Sequence, residues 1–192
     1  GTTDWGNDPL WDDGFAEVAT YEARRSVYGK LRTYETVLIT VKEDFSTQYY
    51  TKADPPFSGK ALFPVLKLNI TSEIQTENYP YSYLTSIFVD RNDVFRLVKM
   101  TNGSQEWCGN TFKLIKTWGE MPELVFHSYW DGEGDGSQPL QWGPNSVVED
   151  QLPLSLRALP FSKDYTWEFQ LLPTQITNKV SRTSPVHAVG RV

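Results

Sequence analysis

Asp131, Glu133 and Asp135 alternate with glycines in the stretch YWDGEGDGSQP, which runs from Tyr129 to Pro139. Oxygen ligands at every second position, followed here by Gly136, are what the first half of a calcium loop requires: alternate carboxylates converge on one ion, and glycine admits the sharp turn. The second half does not match. The twelfth position holds Trp142 in place of a bidentate glutamate, and no helical pattern flanks the loop, so an EF-hand is excluded. Two readings stay open. Asp131, Glu133 and Asp135 could gather calcium weakly in a looser site, or the loop is a solvated turn at a hairpin tip, which acids among glycines serve equally well. No other cofactor is expected.

Sulfur and imidazole offer a second chemistry. Cys108, in QEWCGN, is the only cysteine, and it could act as a nucleophile with His127 or His187 as its base. No supporting signature accompanies them, and a lone cysteine also serves as small apolar filler, so no catalytic residue is assigned. The adjacent acids Asp12 and Asp13, and Glu149 and Asp150, raise glycosidase chemistry. Neighbours on a strand face opposite sides, however, and Asp150 has a competing role as a helix cap. Glycine-rich phosphate loops, Gly-x-Ser-x-Gly and His-Glu-x-x-His are all missing, which removes several large enzyme classes.

The aromatic residues form a third set. Trp107, Trp118, Trp130, Trp142 and Trp167 could build a platform for sugars, line an apolar ligand cavity or close the core of a barrel. Asn69 in NIT and Asn102 in NGS match glycosylation sequons, which carry weight only in a eukaryotic secretory setting.

At 192 residues and 22.0 kDa the chain fits one domain with a real core. An aromatic share of 14% is too rich for a disordered chain. The net charge of −6 and a pI near 5.0 argue against nucleic acid, whose phosphates call for a basic face. One cysteine excludes an intrachain disulfide and a Cys/His zinc site. No apolar run reaches the roughly 18 residues of a membrane-spanning helix. Gly1 ahead of TTDWGNDPLWDDG reads as a trimmed beginning, of the kind left when an export signal is removed.

The elements that must position these groups are β-strands. Residues 1–14 are polar and rich in Asp, Gly and Pro, which predicts an irregular N-terminal tether or cover; residues 15–192 form a single β-rich domain. FAEVATYEA and RTYETVLITVKEDF alternate as a long hairpin, with Val37, Ile39 and Val41 sharing one face. After a break at Pro55, Pro56 and Gly59, VLKLNITSEIQT sets Leu66, Leu68 and Ile70 on one face against Val65, Lys67, Asn69 and Thr71 on the other. YLTSIFVD and VFRLVKM, joined through Asp90, Arg91, Asn92 and Asp93, give the strongest hairpin signal. TFKLIKTW, ELVFHSYW and YTWEFQLLPTQIT bring the count to about eight strands, at intervals typical of a barrel or sandwich. In EDQLPLSLRALPF, Asp150 can cap a first turn that tolerates Pro153, and Pro160 stops continuation, so a short helix is expected near 150–159.

The run from SIFVDRNDVFRLVKM through SQEWCGN, HSYWDGEGDG and EDQLPLSLRAL resembles an uncharacterised family of bacterial exported proteins, periplasmic or outer-membrane-associated lipoproteins. The resemblance extends over about Tyr83 to Phe161 and implies a calycin-like antiparallel β-barrel and a place in the cell envelope, periplasmic or outer-membrane-anchored, where the chain could associate peripherally with the envelope. The fold expected is therefore a mostly β, antiparallel curved sheet or barrel with one short helix. The function expected is non-catalytic binding of an apolar or lipid-like molecule inside the barrel. A structural or interaction protein of the envelope and a hydrolase with an unrecognised site are the alternatives.

Overall fold

A computed structural model describes residues 4–180 and 184–191. Eight strands pair antiparallel, each with the next in sequence: β1 (Glu17–Val27), β2 (Lys30–Ser46), β3 (Leu62–Gln75), β4 (Pro80–Asp90), β5 (Asp93–Glu106), β6 (Gly109–Lys116), β7 (Glu123–Ser128) and β8 (Asp135–Pro139). The predicted β4–β5 hairpin forms with Asp90 opposite Asp93. Asp90 accepts the backbone N–H of Asn92 at 2.8 Å, the local bond that favours Asp in turns.

One face of the sheet is covered and carries the main core. Leu66, Leu68 and Ile70 point into it as the alternation of β3 predicts, opposite Ile87, Val89 and Met100 from β4 and β5. On β2, Leu38 and Thr40 take this face, and Val37, Ile39 and Val41 share the outer one. The register of β4 against β5 shifts on both sides of Val89. An extra residue at such a bulge re-aims the strand: Leu97 enters the main core, while Val98 joins Phe45 and Val65 in a second cluster.

A three-stranded sheet of β9 (Ser146–Val148), β10 (Thr166–Leu172) and β11 (Val186–Arg191) completes the strands, with β9 and β10 parallel. The expected short helix is α1 (Leu152–Ser155), continued at both ends by 3-10 turns over Glu149–Gln151 and Leu156–Ala158. Pro153 occupies its first turn, where a missing N–H costs nothing. Asp150 does not cap it. Gln151 accepts the Val148 N–H, and Asp150 instead receives the Thr174 hydroxyl and the Gln175 N–H. Ser155 donates to the Val94 carbonyl and Gln151 to that of Phe95, which fixes the helix on β5.

The barrel expected as one form of the sheet is corrected to an open sheet. β1 and β8 lie at opposite edges and do not pair. The physical reason is twofold. β8 has only five residues, with Gly136 and Pro139 among them, a weak template for a closing ladder. The face that a barrel would enclose is filled by Trp11, Val148, Leu154, Ala158 and Leu172, all from outside the large sheet.

The segment ahead of β1 contributes Trp11, only 4% exposed, from a 3-10 turn over Pro9–Asp12. Arg91 grips this segment: its Nε donates to the Gly6 carbonyl at 2.9 Å and its two terminal nitrogens reach both Asp12 oxygens at 2.7 Å. Gly6 is required here, because a Cβ would overlap the carbonyl oxygen of Arg91. Arg157 similarly grips Glu17, and Glu77 is held between Lys30 and Arg32.

These pairs set an acid limit. The Arg91 hydrogen bond lowers the Asp12 pKa, the Arg157 hydrogen bond lowers that of Glu17, and bonds from Lys30 and Arg32 bring Glu77 from 4.5 to about 2. A carboxylate with a depressed folded-state pKa stabilises the fold above its unfolded pKa, and that stabilisation is lost as pH falls through the folded value. The thermal midpoint, followed by circular dichroism, is expected to fall from about pH 4.5 to about pH 2 and to fall less steeply in Asp12→Asn. A midpoint flat across that window would contradict these assignments.

Candidate functional site

The bulge in β5 and three connections between strands meet around an open cleft of about 530 Å³. Tyr50 comes from the β2–β3 connection, in a turn closed by its N–H to the Ser46 carbonyl at 2.9 Å and with φ of 52°. Phe63 follows on β3. Thr117, just past β6, donates its hydroxyl to the Leu97 carbonyl at 2.7 Å, and this fixes the exit of the chain so that Trp118 lies flat on Tyr50, with ring centroids 4.3 Å apart and planes at 6°. Trp142 arrives on the β8–β9 connection, where Ser146 accepts the Gly143 N–H at 2.8 Å. Phe95, on the bulged part of β5, is backed by Trp167, which itself stacks on Phe169.

Five aromatic side chains, Tyr50, Phe63, Phe95, Trp118 and Trp142, therefore line one cleft, and the charged groups of its lining are Asp93 and Arg96. Arg96 is also paired with Asp90. Behind the stack, Lys99 donates to the Tyr50 carbonyl at 3.1 Å and lies 5.8 Å from the Trp118 ring centroid. Burial lowers its pKa, since a cation loses hydration there. The hydroxyls of the lining are engaged structurally: Thr47 donates to Ala61, Thr117 to Leu97, and Ser146 accepts from Gly143. The lining has one carboxylate, Asp93, and no His or Cys. Its chemistry is that of apolar contact with a polar rim.

The acidic loop lies elsewhere, as the connection between β7 and β8, with Gly132 and Gly134 at positive φ. Its acids diverge. Glu133 accepts the Ser128 hydroxyl and the Val180 N–H, and so fastens the loop to the chain after β10. Asp135 faces His127 across the strands, with its oxygen 3.3 Å from Nδ1, and Asp131 is exposed. Among the described residues, no three of His, Cys, Asp and Glu are grouped so as to hold a metal ion.

Cys108 is exposed at the β5–β6 turn, and its Sγ lies 2.5 Å from the Tyr79 hydroxyl. His127 is on β7 and His187 on β11, beside Glu168. Each thus has another neighbour. Asp13 accepts the Phe15 N–H, Glu149 the Thr174 N–H, and Asp12 and Asp150 are engaged as described. Burial raises the Asp150 pKa. Trp107, 79% exposed, stacks on Tyr79 at a hairpin tip, and Trp130 lies under Lys179. Asn102 is buried against Thr85, and Asn69 accepts from Ser86 in the middle of the sheet. Neither sequon is presented as a surface loop.

Tyr50, Phe63 and Phe95 have no motif of their own in the sequence; they become neighbours through the β2–β3 connection and the successive pairing of β3, β4 and β5. Comparisons of the chain with known protein families, with curated proteins and with solved structures return no match.

Proposed function

We propose that this protein is a non-catalytic binding protein that holds an apolar, lipid-like molecule in the cleft of Tyr50, Phe63, Phe95, Trp118 and Trp142, and that it works in the cell envelope, the compartment its family resemblance implies. One observation carries the reading: five aromatic side chains face an open cleft of about 530 Å³ whose charged lining is limited to Asp93 and Arg96. That volume falls within the ~300–1,000 Å³ of small-molecule sites, which are mostly apolar with a few polar groups to orient the ligand. The covered face of the sheet, where a calycin would keep its ligand, is packed with side chains, which supports the cleft over that face as the binding position.

Native mass spectrometry of protein purified without detergent from its own host tests this. The expected spectrum contains a species heavier than the bare chain, whose extra mass is removed by organic extraction and identified as an amphiphile or hydrocarbon. A spectrum of bare chain alone, together with no uptake of added long-chain fatty acid, would overturn the reading.

A further inference from the structure

β1 is a free edge of a kind that folded proteins normally blunt. It runs for eleven residues, Glu17–Val27, in an unbroken ladder with β2, with no proline, glycine or bulge. Among the described residues, no backbone hydrogen bond reaches it from its open side. The other outer strands differ: β8 has five residues and contains Gly136 and Pro139, β11 has six and contains Gly190, and β9 has three, all buried. Short edges and residues of this kind discourage pairing, whereas a long regular edge invites another strand.

The charges on β1 select the partner. Glu22 and Arg24 point to the outer face, with side chains 68% and 67% exposed and only a long 3.4 Å contact between them. In an antiparallel pair of two identical strands about a two-fold axis, residues equidistant from the centre stand opposite one another on the same face. A centre at Glu22 sets two glutamates against each other, and a centre at Arg24 sets two arginines against each other. A centre at Ala23 places Glu22 against Arg24 twice, with Tyr21 opposite Arg25 and Ala19 opposite Val27. This register alone among the three is matched in charge, and directly opposed charges are what cross-strand pairing rewards.

We propose that the chain forms a two-fold homodimer by antiparallel pairing of β1 with β1 of a second copy, centred on Ala23, which joins the two large sheets edge to edge. Sedimentation velocity over a concentration series reads the result. Wild type is expected to be dimeric at roughly 100 µM and to dissociate on dilution. Glu22→Arg and Arg24→Glu each replace two matched pairs by two like-charge pairs, and each is expected to weaken the dimer at least about tenfold. An equimolar mixture of the two variants restores matched pairs at both positions, so it is expected to dimerise like wild type. Both side chains are exposed, and circular dichroism confirms that each variant is folded. A wild-type monomer throughout, a dimer insensitive to both reversals, or a mixture no tighter than its components would overturn the proposal.

Discussion

Replacing Lys113 by methionine is expected to lower the free energy of unfolding by about 1.5–3 kcal/mol, the range for hydrogen bonds made by a charged group. Lys113 is 1% exposed on β6, and its ammonium donates to the Gln175 carbonyl at 2.8 Å, the Thr177 hydroxyl at 2.8 Å and the Lys179 carbonyl at 2.7 Å. Three donors thus meet three acceptors, all on the chain that follows β10. Thr111 adds a bond to the Asn178 carbonyl beside it. Burial lowers the Lys113 pKa to about 8, against the pull of Asp150 and Glu133. Methionine keeps the length and the apolar stem but removes the three charge-assisted bonds, while the Gln175 carbonyl still accepts the Thr177 N–H and the Lys179 carbonyl the Thr177 hydroxyl, so the loss is that of the amine's own bonds. Urea denaturation measures the loss. A change below about 1 kcal/mol would mean that water or a rearranged strap replaces the amine without penalty.

Trp118→Ala is expected to weaken binding of an apolar probe at least about 30-fold, and Trp142→Ala comparably, because truncating a central aromatic anchor typically costs 2 kcal/mol or more of binding. Trp118 forms a continuous apolar wall with Tyr50, and alanine removes that wall and leaves Tyr50 without its stacking partner. Trp107→Ala is the control. This residue is exposed at the β5–β6 turn, outside the cleft lining, and its removal is expected to leave affinity unchanged. Titration of each variant with a fluorescent fatty acid, at a temperature where circular dichroism shows it folded, gives the ratios. Equal affinities for Trp118→Ala and wild type would place binding elsewhere.

Strands with one apolar face were legible in the sequence. The alternation of β3 identifies Leu66, Leu68 and Ile70 as inward, and the turn residues Asp90 to Asp93 locate the β4–β5 hairpin. β2 was legible as a strand, but Val37, Leu38 and Ile39 are all apolar, so periodicity cannot say which of its faces meets the core; pairing with β3 decides it. Asp150 illustrates a different limit. Its type and position suit a helix cap, but the side chain turns to Thr174 and Gln175, a partnership made only when the chain after β10 returns. The same return creates the Lys113 cage, of which the sequence shows one sign, a lysine in register with Thr111 and Ile115 on the inward parity of β6. Trp118 and Trp142 stand out by type. Their convergence with Tyr50, Phe63 and Phe95 depends on the β5 bulge and on three connections, and no local pattern encodes it.

Indole resonances give the most direct test of ligand binding in the cleft. The chain has seven tryptophans, each with one indole N–H signal in a nitrogen–proton correlation spectrum of labelled protein. On titration with a long-chain fatty acid below its critical micelle concentration, the signals of Trp118 and Trp142 are expected to shift saturably and together, while those of Trp107 and Trp130 stay in place. Seven unmoved signals, or shifts confined to Trp107 and Trp130, would contradict the account.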